Sequence, residues 1–418
     1  MLYHRLAHAP RPVRLWFGLA LGAILVLTLT PAGESERPLS VWCVACGDGG
    51  IADFMLNVLL FVPLGTAFWL IGLEWLPAFG FGAALSTAIE LAQMSIPGRD
   101  TSLGDVMSNS GGALLGFAFA ALVVHATRRH TRVTIRSLAA PVLMALGVGV
   151  LIAGTGWSLQ PGFPSSDYWG QWTADMDGDL GWYRGHVLSA SLGDLPLPSE
   201  RLSHQPEVHA RLAAGDSLLV KAVAGPASKP GHIAPVFSIY DEHQREILLL
   251  GPRNDDLVFR YASRGGVHGF DQPAFTIPGM FRGIRTGDTL RIALWRARNG
   301  YCVRLNHRSA CGLAWSATMG WAAFKYSDDE PAWVYETLGI AWIGGLAFLV
   351  GCLTRFPAEL LAGGVATAVI MAVVPPLVGF KSLTALGWTS AAGGLIVASV
   401  LRRLLLPRVA AWAALASR

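Results

Sequence analysis

The sequence predicts a multi-pass α-helical membrane protein of about eight transmembrane helices, with an all-β sandwich inserted between the fifth and the sixth. The first observation is compositional. Of 418 residues, 52% are hydrophobic and only 14% are charged, with mean hydropathy +0.44, whereas soluble globular domains carry about 25% charged residues. The second is distribution: the flanks hold long runs nearly free of charge, and the middle third is rich in Arg, Asp, His and Gly. The third is periodicity, which changes from helical to alternating between about 165 and 320. The length alone suggests two or three domains.

A membrane span needs roughly 20 mostly apolar residues. Such runs lie at 15–31, 52–72, 76–94, 104–125, 138–156, 332–353, 357–375 and 383–401. They divide the chain into a basic N-terminus (1–14), a four-helix membrane domain (15–125), a basic loop (126–137) and a fifth span (138–156). The β-rich insert (157–331), three closing spans (332–401) and a tail (402–418) follow. The first run also suits a secretory signal, but Pro31-Ala32-Gly33 is a poor cleavage site, so a retained anchor is expected.

Basic residues cluster at Arg5, Arg11 and Arg14, at Arg128, Arg129, Arg132 and Arg136, at Arg355, and at Arg402, Arg403 and Arg408. With eight spans and a cytoplasmic N-terminus, all four clusters fall on the cytoplasmic side, as the positive-inside rule requires. Lys381 alone dissents near a short loop. Because each cluster sits at a helix end, a nucleic-acid partner is not expected. The same topology puts both termini in the cytoplasm and places 32–51, 95–103 and the insert outside. Four of the five cysteines lie there: Cys43 and Cys46 in a Cys-x-x-Cys, and Cys302 and Cys311 flanking a hairpin. An oxidising exterior makes two structural disulfides the plain reading. A redox or metal role for Cys43 and Cys46 lacks a second ligand pair. Cys352, within a span, reads as a small apolar filler.

Three of the first four runs carry polar groups that lipid tolerates only for a reason. Asp53 and Asn57 stand four apart and share a helix face; Ser86, Glu90 and Gln93 do so on the next run, and Asp105, Ser108, Asn109, Gly112 and Gly116 on the one after. An ionised carboxylate costs several kcal/mol in the bilayer by insertion scales, so these groups face a bundle interior or a wet cavity. All three faces sit at one depth, and Arg99 in the intervening Pro97-Gly98-Arg99-Asp100 is placed to neutralise the acids. The expected pocket is lined by Asp53, Asn57, Ser86, Glu90, Gln93, Arg99, Asp105 and Asn109, with Glu90 or Asp105 as candidate general base. The plainer alternative is helix assembly through interhelical hydrogen bonds and small residues.

The pieces Asp53-x-x-x-Asn57-x-x-x-Phe61-x-Pro63-x-Gly65, Ser86-x-x-Ile89-Glu90-x-x-Gln93, then Arg99 and Asp105-x-x-x-Asn109-x-x-Gly112-x-x-x-Gly116, occur in that order. Together they resemble the VanZ-like family, bacterial membrane proteins named for a teicoplanin-resistance protein. The resemblance covers about residues 15–125. It implies a place in the bacterial cytoplasmic membrane and a link to glycopeptide resistance or surface polysaccharide. It names no reaction.

In the insert, alternating segments at 217–223, 235–240, 245–250, 257–262, 289–296 and 301–305 read as strands, separated by turn signals such as Arg298-Asn299-Gly300. Many short strands at this spacing suggest a β-sandwich. The closing strands are similar to a concanavalin A-like or laminin-G-like lectin domain of jelly-roll type, which implies glycan binding. Glycoside hydrolysis needs two carboxylates at a fixed separation, and Asp241, Glu242 and Glu246 sit at a turn instead. Trp169, Trp172, Trp182, Tyr183 and Trp295 are candidate stacking surfaces, with core packing as the alternative, and Trp157 reads as a membrane-belt residue. Asp175, Asp177 and Asp179 supply hard oxygens that suit Ca²⁺, but the EF-hand glycine and distal acid are missing, and a solvated acidic turn competes. No other cofactor is expected, and His204, His209, His232, His243, His268 and His307 read as ordinary surface residues.

The closing spans are read as lacking internal charge, with a loop or helix end at Pro375-Pro376. The favoured function is recognition of an envelope glycan or glycolipid by a periplasmic lectin-like domain and the polar membrane pocket. The alternatives are an enzyme acting on a lipid-linked envelope precursor and a structural or assembly factor. Broken midplane helices and repeated halves, the marks of a transporter, are not seen.

Overall fold

A computed structural model describes residues 2–31, 40–45, 49–99, 101–128, 132–173, 180–326 and 330–416, with side chains of 126–128 and of residues beyond 404 left aside. Asp175, Asp177, Asp179 and Cys46 lie outside the described residues. The chain divides into two compact units. One holds 1–152, 337–374 and 383–418; the other holds 153–336 and 375–382.

The helices before the insert are α1 (Leu2–His8), α2 (Arg11–Leu29), α3 (Gly50–Leu70), α4 (Trp75–Gln93), α5 (Leu103–Arg128) and α6 (Ile135–Ser158). The insert holds β1 (Tyr168–Trp172), β2 (His186–Leu192), β3 (Leu195–Pro196), α7 (Gln205–Ala214), β4 (Leu218–Val223), β5 (Phe237–Asp241), β6 (Glu246–Arg253), β7 (Asp256–Tyr261), β8 (Phe275–Ile277), β9 (Thr289–Ala297), β10 (Gly300–Leu305) and β11 (Arg308–Leu313). It is followed by α8 (Ala332–Cys352), α9 (Pro357–Leu377) and α10 (Ala385–Ala416). Among the described residues, eight helices are long and apolar enough to cross a membrane: α2 to α6 and α8 to α10. The protein is thus an integral membrane protein with eight candidate spans and a separate two-sheet region.

In the helical unit, Ile24, Phe61, Leu64, Phe68, Ile71 and Ile89 form the core of the first four spans. Leu19, Leu59, Leu91 and Leu115 point outward, which suits helices solvated by lipid. The tightest contact joins α3 to α5. A Cβ at Gly112 would stand 2.1 Å from the Val58 carbonyl oxygen, one at Gly116 2.0 Å from that of Val62, and one at Gly65 1.9 Å from that of Ala113. The two backbones therefore touch, and only glycine fits on the three facing positions.

One expectation for the closing spans needs correction: they do carry buried charge. Glu359 is 2% exposed in the first turn of α9 and accepts the Arg355 and Phe356 amides at 2.6 and 3.2 Å, while Arg402 on α10 is 8% exposed. An acid at the third helical position that caps the amides before the helix offsets the burial of its charge. Pro375 and Pro376 stand in the last turn of α9, one residue before its end at Leu377, so the helix end lies where the prolines mark it. Helix α10 continues past 401 to Ala416, through the segment read as a tail.

In the second unit all strand pairs are antiparallel. One sheet has the order β1-β5-β6-β7-β8 and the other β11-β10-β9-β4-β2-β3. All six expected strands are present, within a few residues at each end. Strands β1, β2, β3, β8 and β11 and helix α7 were not anticipated. On β4, Leu218, Val220 and Ala222 are buried and Leu219 and Lys221 exposed, the half-buried alternation of a strand. The sheets meet through Phe259 and Tyr261 of β7, whose rings lie 5.0 and 5.3 Å from Tyr301 of β10. On the opposite face of β6 and β7, Leu249 and Val258 are covered by Ile233 and Ala274. Asn254 and Asn306 adopt positive φ in the two-residue turns that join β6 to β7 and β10 to β11, where asparagine tolerates the left-handed region. Cys302 and Cys311 form a disulfide across β10 and β11, and Cys43 is disulfide-bonded as well.

The helix ends that enter this unit are sewn to it by main-chain hydrogen bonds. Ser158 and Gln160 carbonyls accept the Gly265 and Arg264 amides, both at 2.8 Å, and Lys381 donates to the Trp315 carbonyl at 2.8 Å. The Gln160 side chain donates to the Val378 carbonyl at 2.6 Å, linking the two.

Gly116→Ala is expected to destabilise the protein by about 1–3 kcal/mol through overpacking. Gly111→Ala, where a Cβ meets nothing within 4 Å, should be neutral or stabilising. Thermal unfolding of both variants in one detergent checks this. Replacing both Cys302 and Cys311 with Ala should cost about 3 kcal/mol, from the loop-closure entropy of a short cross-linked loop, read as a lower melting midpoint of the second unit.

Candidate functional site

The polar residues of the first bundle gather where α3 begins, α4 ends and α5 begins. Their arrangement starts from the cap of α5. Ser102 precedes the helix, and its hydroxyl accepts the Asp105 amide at 3.0 Å, which satisfies one of the free N–H groups of a helix start. In a capping box the acid three residues on would accept the Ser102 amide. Here that role passes to the neighbouring helix: Glu90 Oε2 accepts the Ser102 amide at 3.0 Å. Asp105 is released to bond α3, and its Oδ1 accepts Asn57 Nδ2 at 2.5 Å. Asn109 Nδ2 donates to Ser86 Oγ at 2.9 Å, and the Ser86 hydroxyl in turn reaches the Asp105 carbonyl at 3.4 Å. Ser108 donates to that carbonyl at 3.1 Å.

The expected lining residues therefore separate into two sets. Asn57, Ser86, Glu90, Asp105 and Asn109 form one network across α3, α4 and α5. Asp53, exposed in the first turn of α3, interacts electrostatically with Asp105. Gln93 and Arg99 belong elsewhere. Gln93 Nε2 donates to the Thr28 carbonyl at 2.8 Å, and Arg99 donates to the Leu27 and Thr30 carbonyls at 2.7 and 3.0 Å. Arg99 thus closes the end of α2 and does not neutralise the acids, because the free carbonyls of a helix C-terminus attract a guanidinium as an acid would. Two buried acceptors, Gln93 Oε1 and Asn109 Oδ1, have no hydrogen-bond partner among the described residues. What the cluster offers chemically is a pair of acids, Glu90 and Asp105, whose carboxylates accept from the Ser102 amide and the Asn57 side chain and which repel each other through space.

The β unit sorts its candidate aromatic residues by environment. Trp169 and Trp172 line a depression of about 580 Å³ with Gln171, Glu200, Tyr240 and Glu242. The Arg201 guanidinium lies 6.0 Å from the Trp169 ring, and Trp172 Nε1 donates to the Leu197 carbonyl at 3.0 Å. Tyr183 belongs to the core instead. It is 5% exposed and donates to the Val223 carbonyl at 2.9 Å, and burial pushes its phenol up to about 12. Trp182 is 61% exposed and borders neither this depression nor the core, while Trp295 stacks under Arg304. The turn acids are engaged in the fold. Asp241 accepts the His243 and Arg245 amides at 2.9 and 2.8 Å and pairs with the Arg245 side chain, and Glu246 pairs with Arg260 at 2.7 Å. His209 bonds the Phe163 carbonyl at 3.1 Å. Among the described residues no group of three His, Cys, Asp or Glu is arranged to hold a metal ion.

Residues 17–124 match the family model described as VanZ/LLP1. No curated protein and no solved structure matches the chain.

Glu90→Gln keeps an oxygen for the Ser102 amide and should leave the melting midpoint nearly unchanged. Glu90→Ala strands that amide and should cost about 1–3 kcal/mol. Side-by-side thermal unfolding separates the two.

Proposed function

We propose that this chain is a VanZ-like protein of the bacterial cytoplasmic membrane whose β domain recognises the sugar portion of an envelope glycan or glycolipid. The reading places both termini in the cytoplasm and the β domain outside, supported by the four arginine clusters at alternate helix ends. Two antiparallel sheets of five and six strands support a concanavalin A-like, jelly-roll identity for the domain. The observation that carries the reading is the depression holding Trp169 and Trp172 beside Gln171, Glu200 and Glu242. A sugar ring presents apolar C–H faces and a rim of hydroxyls. Aromatic faces meet the first, and a few placed amide and carboxylate groups fix the second. The match of the first bundle supports glycopeptide resistance or surface polysaccharide as the physiological context.

A second reading has its own support. Glu90 and Asp105 come from different helices and repel each other through space, an arrangement that suits general-base chemistry on a lipid-linked precursor. Turnover of a labelled precursor by the purified protein, lost in Glu90→Gln, would establish it; no turnover would exclude it.

The recognition reading predicts saturable binding of an envelope glycan by the full-length protein in detergent. Trp169→Ala should weaken it at least tenfold with the circular dichroism unchanged. Unaltered binding by Trp169→Ala would overturn the assignment of the groove.

A further inference from the structure

The β unit has a second cavity, of about 650 Å³, within the size range of small-ligand sites. It lies away from Trp169 and Trp172, and its lining contains three cations, Arg296, Arg298 and Lys381, and no acid. None of the three side chains has a hydrogen-bond or ion-pair partner among the described residues. The remaining walls are aromatic: Tyr261, Tyr301 and Trp315. Unpaired like charges gathered at one concavity repel one another and favour an anion between them.

Two further observations point to a ligand. Tyr301 is 8% exposed, lines the cavity, and its phenol has no hydrogen-bond partner among the described residues. Its hydroxyl is not sealed in the core but opens on the cavity, where a ligand oxygen can take the place of water. Burial pushes this phenol up to about 12, so it stays protonated and is a donor without an acceptor. Tyr261, by contrast, is engaged, donating to the Leu159 carbonyl at 3.0 Å and accepting from Trp315 Nε1 at 3.2 Å. The second observation concerns Lys381. Like Arg99, it stands in a short loop on the side that the positive-inside pattern leaves poor in cations. The hydrogen bond from its amide to the Trp315 carbonyl fixes it at the cavity edge.

We propose that this cavity binds a phosphate group, with Arg296, Arg298 and Lys381 neutralising its charge and the Tyr301 hydroxyl donating to one of its oxygens. The position of the walls argues for a phosphate carried on a lipid. Gly156 lies in the last turn of α6 and Leu159 follows it, and Pro376 to Lys381 close α9 and lead to α10, so the ends of two candidate spanning helices form one border of the cavity. A soluble phosphate or diphosphate shares the recognition chemistry but has no need of that border. The site is separate from the tryptophan groove and does not rest on glycan recognition.

The test uses full-length protein in a neutral detergent, following tryptophan fluorescence, to which Trp315 contributes from within the cavity. The probes are dihexanoyl phosphatidic acid, inorganic pyrophosphate and, as the phosphate-free control, dihexanoyl glycerol. Phosphatidic acid should bind saturably, and Arg298→Ala and Lys381→Ala should each weaken it at least tenfold, both residues being exposed and outside the folded core. Arg282→Ala, an exposed cation that does not line the cavity, should change nothing, and Trp169→Ala should leave phosphate binding intact even where it abolishes glycan binding. Phosphatidic acid bound at least tenfold tighter than pyrophosphate establishes the lipid source. Equal, variant-sensitive binding of pyrophosphate reassigns the site to a soluble phosphate. Absence of binding, binding of dihexanoyl glycerol as tight as that of phosphatidic acid, or equal losses in Arg282→Ala and Arg298→Ala would overturn the proposal.

Discussion

The membrane unit depends on the direct backbone contact between α3 and α5. Gly65, Gly112 and Gly116 remove the side chains that would hold these helices apart. Because lipid tails are as apolar as leucine, hydrophobic burial gives helices little reason to associate within a bilayer. Close van der Waals contact and interhelical hydrogen bonds supply the reason instead. The glycine seam provides the first and brings Asn57 within reach of Asp105, which begins the second. Each support needs the other: without the seam the polar groups of α3 and α5 would face lipid unpaired, at a cost of several kcal/mol.

This coupling explains how a polar cluster with three acids persists at the end of an apolar bundle. Glu90 does not stand as an isolated charge. It completes the cap of a neighbouring helix, so one carboxylate satisfies a main-chain donor that the bundle would otherwise leave open. The same economy governs the other bundle end, where Glu359 caps α9. Assembly and function are not exclusive here: a network built on donors from three helices also fixes the orientation of its acids, which any ligand or substrate at that end would meet preformed. The buried oxygen of Asn109, unpartnered among the described residues, marks where the network is incomplete.

The β unit shows a different division. Its core is made by the inner faces of two sheets, where Phe259, Tyr261 and Tyr301 meet, and its chemistry lies at the margins. The tryptophan groove flanks the edge strand β1, and the cationic cavity lies beside the last hairpin and the helix ends. A disulfide pins that hairpin, so the wall carrying Tyr301 is held without depending on the core alone.

The sequence by itself determined the spans, because each is a local run whose apolar length meets the thickness of a bilayer. It determined six strands through alternation, and it singled out Asn57, Ser86, Glu90, Asp105 and Asn109 through helical spacing, which puts them on facing surfaces. It missed β2; it also missed β1, β3, β8 and β11, which are short or lie at sheet edges, and α7, whose ten residues interrupt a β-rich stretch. The hydropathy of a run also concealed Glu359, since an average over a span carries no information about a cap in its first turn. What only the tertiary structure decided is who pairs with whom. Arg99 was near three acids in sequence yet bonds two carbonyls of α2, and Arg298 and Lys381, more than eighty residues apart in the chain, border one cavity. Periodicity sets which face a side chain occupies, but the partner across the gap is chosen by the packing of whole helices and sheets, which no local window contains.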